Sequence, residues 1–224
     1  LTPCDVGVSM GFLLQQRLHD RRRLFLKRSI DLIFCALGAV LVVPVSLVLA
    51  LAIRLDSRGP ILYRQKRVGQ GGREIMVHKF RTMARDAEVI LEKYLADNPD
   101  ARDEWERDHK LRRDPRITRV GRFLRHTSLD ELPQLIDVLA GNMSIVGPRP
   151  IVNEEISKYG PVYSDYILVK PGITGLWQVS GRNDTSYEER VAYDFYYINN
   201  WSIWMDIWIL CRTVPVVILG RGAY

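Results

Sequence analysis

Two adjacent acids, Asp130 and Glu131, lie in the stretch Thr127-Ser128-Leu129-Asp130-Glu131-Leu132-Pro133-Gln134-Leu135. A carboxylate at a helix N-terminus is held ionised, as a nucleophile or a magnesium ligand must be. Neighbouring acids can share a metal ion and handle a proton. The same spacing has a structural explanation. Ser128 followed three residues later by Glu131 is a capping-box pattern. Leu132, Leu135, Ile136 and Leu139 fall on one helical face, and Gly141 supplies a C-terminal stop. Acids in a first turn also suit the helix macrodipole. Capping accounts for Glu131 and leaves Asp130 without a task. Both readings fit the spacing.

Basic residues surround this pair in the sequence. Lys79 and Arg81 close an apolar run, Arg125 precedes Asp130 by one helical turn and a half, and Arg149 stands between Pro148 and Pro150. An arginine on a stiff turn suits bidentate phosphate recognition. Taken singly, each is an ordinary surface charge. Together with an acid pair they suggest a phosphoryl site, where cations stabilise spread negative charge.

The elements that must position these groups carry membrane signals. Leu32 to Ile53 has no charged residue. A helix of that length measures about 33 Å, against a hydrocarbon core of about 30 Å. A straight span and a buried helix are the simpler readings. Pro44 near the middle and basic flanks on both sides favour a third. Arg21, Arg22, Arg23, Lys27 and Arg28 precede the segment; Arg54, Arg58, Arg64, Lys66 and Arg67 follow it. Such flanks stay on the cytoplasmic side. A helix bent at Pro44 that enters and leaves by one leaflet satisfies both. Downstream, Trp201, Trp204 and Trp208 share a helical face with Ile203, Ile207 and Leu210, with Tyr193, Tyr196 and Tyr197 just before them. This is either a headgroup-level belt or an aromatic core stripe.

The remainder reads as a β-hairpin, Ile61 to Val68 and Glu74 to Phe80, turning at Gly69 to Gly72. Two exposed charged helices follow over Ala84 to Lys110, with Asn98 and Pro99 between them. A turn-rich lobe covers Arg112 to Asn183. The glycines of the hairpin turn do not make a nucleotide fingerprint. The chain has 224 residues, three scattered cysteines (Cys4, Cys35, Cys211) and a net charge of +6. The cysteines lack metal spacing and suit a reducing compartment. The basic excess points to anionic partners. No nucleic-acid-binding module is recognisable, so nucleic acid is not expected among them. Leu1 to Gln16 has no signal-peptide layout.

Four blocks resemble a known family: Lys79-Phe80-Arg81-Thr82-Met83, Thr127 to Gln134, Met143 to Pro150, and Lys170 to Asn183. In this order they resemble the bacterial sugar transferases, monotopic polyprenyl-phosphate hexose-1-phosphate transferases. The closing Arg221-Gly222-Ala223-Tyr224 is similar to the galactose branch. The resemblance runs from about Lys27 to Tyr224. It implies an α+β fold with a mostly helical catalytic core and a small β-hairpin. An N-terminal re-entrant helix-break-helix at Pro44 and C-terminal interfacial amphipathic helices complete it. Residues 1–26 would be the remnant of an upstream region or linker, 27–58 the membrane hairpin, and 59–224 the catalytic domain.

The implied reaction moves a sugar-1-phosphate from a UDP-sugar to undecaprenyl phosphate at the cytoplasmic face of the bacterial inner membrane. Asp130 would be the nucleophile and Glu131 its assistant, both as magnesium ligands. Lys79, Arg81, Arg125, Arg149 and Arg182 would hold phosphate or substrate. Membrane lipid and a second copy of the chain are the other implied partners. Family members with a serine before the hairpin proline differ from this chain, which has Val43-Pro44.

Overall fold

The computed structural model describes residues 2–6, 9–13, 21–108, 111, 113–181 and 185–218. It is α+β: mostly helical, with three small two-stranded sheets. Antiparallel strands β1 (Thr2–Val6) and β2 (Ser9–Leu13) occupy the N-terminus, which the sequence suggested only as a remnant or linker. Helix α1 (Arg21–Asp56) follows, with Pro44 inside it. The expected helix-break-helix is therefore one helical element. β3 (Leu62–Val68) pairs with β4 (Glu74–Phe80) as the hairpin expected from the sequence, turning through Gly71 and Gly72 at positive φ. The described residues group into two compact units.

The first unit takes Leu1–Gly38, Lys66–Val77 and Gln134–Gly222. Its helices are α5 (Gln134–Leu139), α6 (Ile156–Tyr159), α7 (Tyr163–Tyr166), α8 (Leu176–Ser180), α9 (Tyr187–Asn200) and α10 (Ile203–Ile218). Strands β5 (Ser144–Val146) and β6 (Gly172–Thr174) pair in parallel, a pairing that periodicity could not reveal in three-residue strands. A Cβ on Gly172 would lie 2.1 Å from the Gly147 nitrogen, so the two motif glycines permit a close backbone approach.

A buried polar network fixes the start of α1 to this unit. Lys27 Nζ donates to Asp206 Oδ2 at 2.8 Å and lies 3.6 Å from Asp31. Asp31 accepts from Ser144 Oγ and the Ile145 N–H. Asp206 accepts further bonds from Tyr197 and Trp201. One expectation is corrected here and one open choice is decided. Lys27 is a buried, paired cation rather than a solvated flank charge. Trp201 is 3% exposed, because its indole N–H serves Asp206, and so belongs to the core rather than to a headgroup belt. Tyr197 is buried for the same reason. Trp204 at 78% and Trp208 at 45% remain outward on α10, whose inner face carries Asp206 and Ile209.

The second unit takes Ala39–Gln65 and His78–Pro133. Its core joins Leu49 and Ile53 of α1 to Phe80 and Leu124. Helices α2 (Ala87–Asp97) and α3 (Pro99–Asp108) are largely exposed, and Pro99 opens α3 as its spacing predicts. Helix α4 (Arg119–Thr127) is capped by Thr118, whose side chain accepts from the Gly121 N–H. The turn-rich lobe expected over Arg112 to Asn183 is thus divided at Pro133, between the two units.

Candidate active site

The acid pair sits just after α4. Ser128 takes a left-handed conformation (φ 56°, ψ 17°), which ends α4, and its N–H bonds back to Arg125. A single 3-10 turn, Leu129–Glu131, follows, with Leu129 and Leu132 packed on the core of the second unit. No capping box forms. Ser128 makes no side-chain cap bond, because a left-handed residue cannot act as the extended N-cap such a box needs. Pro133 then precedes α5, where Ile136 and Leu139 are exposed while Gln134, Asp137 and Val138 are buried. Gly141, at φ 85°, does provide the C-terminal stop.

Glu131 instead accepts a charged hydrogen bond from Lys79 Nζ at 2.7 Å, at the end of β4. Asp130 is half-buried beside it. Burial, then the Glu131 charge, push its carboxyl up to about 6, while Lys79 and Arg125 oppose the rise. Arg125, on the last turn of α4, donates from Nε to Thr82 Oγ1 at 2.9 Å. Burial lowers its pKa and Asp130 raises it. Lys79, Arg125, Asp130 and Glu131 therefore form one electrostatic cluster. The arrangement can keep a carboxylate ionised above pH 6, poorly solvated, with cations at hand for phosphate oxygens.

Arg81 is placed differently. Its Nη2 donates to the carbonyl (2.8 Å) and the hydroxyl (2.7 Å) of Ser57, just beyond α1. The side chain is buried, and burial lowers its pKa. Arg149 lies in the first unit, with its guanidinium 5.4 Å from the Trp177 ring centroid. Arg182 and the closing residues Arg221 to Tyr224 lie outside the described residues. Sequence reasoning missed Ser57 and Thr82 as partners of Arg81 and Arg125. Thr82 stood inside a quoted motif, but nothing in the spacing tied it to residue 125.

Among the described residues, no group of three or more His, Cys, Asp or Glu side chains converges on a metal position. Two adjacent carboxylates nevertheless fit magnesium, which takes one or two protein carboxylates and completes its shell from substrate phosphates and water.

The bacterial sugar transferase family model matches residues 22–220. The chain is 47% identical over 94% of its length to "Undecaprenyl-phosphate galactose phosphotransferase" of Salmonella typhimurium, covering 44% of that protein. It is 43% identical to "Exopolysaccharide production protein ExoY" of Rhizobium meliloti, over 88% of both chains. It is 41% identical to "UDP-glucose:undecaprenyl-phosphate glucose-1-phosphate transferase" of Escherichia coli, over 97% of this chain and 45% of that one. The chain thus spans less than half of the first and third of these relatives and most of the second. A match through nearly all of its length places the chain in the bacterial sugar transferase family.

Proposed function

We propose that the chain transfers a sugar-1-phosphate, galactose-1-phosphate first among the choices, from a UDP-sugar to undecaprenyl phosphate and releases UMP. The observation that carries this reading is the fate of Asp130. It takes no part in a capping box, and it sits half-buried among Glu131, Lys79 and Arg125 with its carboxyl at about 6. The galactose assignment draws on the Salmonella typhimurium relative's name; the Escherichia coli relative is named for glucose.

The ionised Asp130 attacks the β-phosphorus of the donor, the bond to the bridging oxygen breaks, and UMP departs with that electron pair. A phosphate oxygen of undecaprenyl phosphate then attacks the sugar-phosphoryl-aspartate and restores the Asp130 carboxylate. Glu131 is the neighbouring ligand or proton handler, held by Lys79. Arg125 neutralises phosphate charge beside the acid pair, and the family resemblance assigns phosphate or substrate binding to Arg149 and Arg182 as well. Asp130 and Glu131 would hold magnesium, which would supply further neutralisation of phosphate charge. One anhydride is exchanged for another, so positioning and electrostatics carry the rate.

Work at the cytoplasmic face of the inner membrane belongs to the same proposal, and so do a re-entrant α1, residues 27–58 as membrane hairpin ahead of a catalytic domain, and assembly as a homodimer. Re-entry is supported by Pro44 inside α1 and by basic residues on both of its flanks. Lys27, Asp31 and Cys35 are buried near its start, and Leu49 and Ile53 near its end. Apolar side chains nonetheless face outward along nearly the whole helix, from Phe25 to Leu55. They include Leu37, Val40, Leu41, Val43, Leu47 and Val48. A bend at Pro44 lets the helix dip and return. Exposed Trp204 and Trp208 on α10 suit the headgroup level.

The proposal is tested by UMP release from UDP-galactose and UDP-glucose, with undecaprenyl phosphate and magnesium, by the unmodified chain and by Asp130→Asn. Acceptor-dependent release that disappears in a folded Asp130→Asn supports it. Equal release by both refutes it.

A further inference from the structure

The first unit holds a second cluster of cations, none of them beside the acid pair in sequence. The indole of Trp177 is buried. The Arg190 guanidinium lies 3.9 Å from its ring centroid and that of Arg149 lies 5.4 Å from it. Arg190 also lies 5.1 Å from the Tyr187 ring. Two like charges thus share one aromatic platform, a costly arrangement without an anion between them. Their fields overlap: after burial, Arg149 is the chief influence lowering the Arg190 pKa.

Glu155 and Asp194 act on this pair electrostatically, and among the described residues neither makes an ion pair with it. Arg190 makes no ion pair among the described residues, and its buried Nε lacks a hydrogen-bond partner. Glu155 accepts from the Val152 N–H at 3.1 Å and lies 3.9 Å from Arg67. Asp194 is 1% exposed; burial pushes its carboxyl up to about 7, which weakens it as a counter-ion. Its Oδ2 accepts from Tyr159 at 2.7 Å, and its buried Oδ1 has no hydrogen-bond partner among the described residues.

Arg149 stands between two prolines. Its carbonyl accepts from Tyr166 Oη at 3.1 Å. Tyr166 packs edge-on against Tyr159, with centroids 5.1 Å apart. The backbone of Arg149 is restricted by the two prolines and held at its carbonyl, and its guanidinium lies over Trp177. Arg190 comes to the same ring from the first turn of α9, where a helix N-terminus adds positive potential. Arg149 and Arg190 are each half-buried as residues, with the Arg190 Nε itself buried.

We propose that Arg190 is a second phosphate-binding residue, forming with Arg149 across Trp177 a two-arginine clamp for a substrate phosphate group. The proposal rests on the transferase reading, in which Arg149 already binds phosphate, and adds Arg190, which no motif brought forward. The chemistry recognised is a phosphate oxyanion. The nucleotide diphosphate of the donor is the expected occupant, and the phosphate of the lipid acceptor shares that chemistry.

The test uses the full chain in detergent with Arg190→Gln, which keeps a planar polar side chain for stacking and removes the charge. Binding of UDP is measured by calorimetry, stabilisation by undecaprenyl phosphate by thermal shift, and folding by the melting temperature without ligand. A loss of about tenfold in UDP affinity, equivalent to about 1.4 kcal/mol, with melting unchanged, is expected. A loss confined to undecaprenyl phosphate keeps the clamp and assigns it to the acceptor. Unchanged binding of both, while Arg149→Ala weakens either, overturns the clamp and leaves the transferase reading standing. Absence of UMP release by the unmodified chain strikes that reading itself. Should Arg190→Gln fail to fold, Arg190→Lys decides: a point charge without the guanidinium fork gives roughly threefold weaker binding, and full affinity overturns the clamp.

Discussion

Replacing Asp130 by Asn is expected to stabilise the protein at neutral pH while abolishing turnover. The Asp130 carboxyl rises from 3.8 to about 6 on folding, chiefly through burial. Each pH unit is worth about 1.4 kcal/mol, so ionisation at pH 7.5 costs the folded state about 3 kcal/mol. Partial exposure and solvent screening reduce this to about 1–2 kcal/mol. The sign follows from the raised pKa. Stability associated with the protonated group is fully present below pH 3.8 and is lost as pH rises through 6. An amide carries no such cost. In a chain of this size the gain corresponds to about 2–8 °C in melting temperature. Thermal unfolding of both proteins in one detergent, at pH 7.5 and at pH 4.5, checks it. The Asp130→Asn advantage should be present at pH 7.5 and shrink at pH 4.5. A variant no more stable than the original at pH 7.5, or an advantage independent of pH, refutes the claim that the fold holds this carboxylate against its preference.

The same carboxyl sets a pH profile: turnover should fall as pH drops through about 6, with an acid limb that disappears when the pH-independent background of Asp130→Asn is followed by UMP assay. Lys79→Ala removes the 2.7 Å bond to Glu131 and should lower kcat by about tenfold or more, with melting changed by no more than about 1 kcal/mol in this partly exposed pair. Ser128→Gly relieves the left-handed backbone and should raise stability by up to about 1 kcal/mol, whereas a capping-box serine would show a loss of about that size; chemical unfolding separates the two. Gly121→Ala sets a Cβ 2.0 Å from the Thr82 carbonyl oxygen, and should cost about 3 kcal/mol or prevent folding, read by the yield of monodisperse protein and its melting temperature.

Long-period features were legible in the sequence. The apolar run of α1, the β3–β4 hairpin with its glycine turn and the Pro99 start of α3 followed from composition and spacing. What misled was local pattern overruled by tertiary partners. Ser128 and Glu131 have capping-box spacing, yet the left-handed turn at Ser128 and the Lys79 bond redirect both. Trp201 has the spacing of an interfacial belt, yet Asp206 draws its indole inward. Lys27 reads as a flank charge until Asp206, 179 residues away, is seen to pair with it. The β5–β6 pairing joins strands too short to carry a period. For the site, Asp130, Glu131, Lys79 and Arg125 could each be named from type and motif, and the structure brings these four together. The Arg81–Ser57 and Arg125–Thr82 bonds, and the meeting of Arg149 with Arg190 on Trp177, could not be read, because each depends on contacts distant in sequence.

The most direct test of the central claim is acceptor-dependent UMP release from UDP-galactose, with UDP-glucose run in parallel, by the unmodified chain and by Asp130→Asn shown folded by its melting transition. Release by the first and none by the second is the predicted result. Undiminished release by folded Asp130→Asn would contradict the account, since the carboxylate could then be neither nucleophile nor essential ligand.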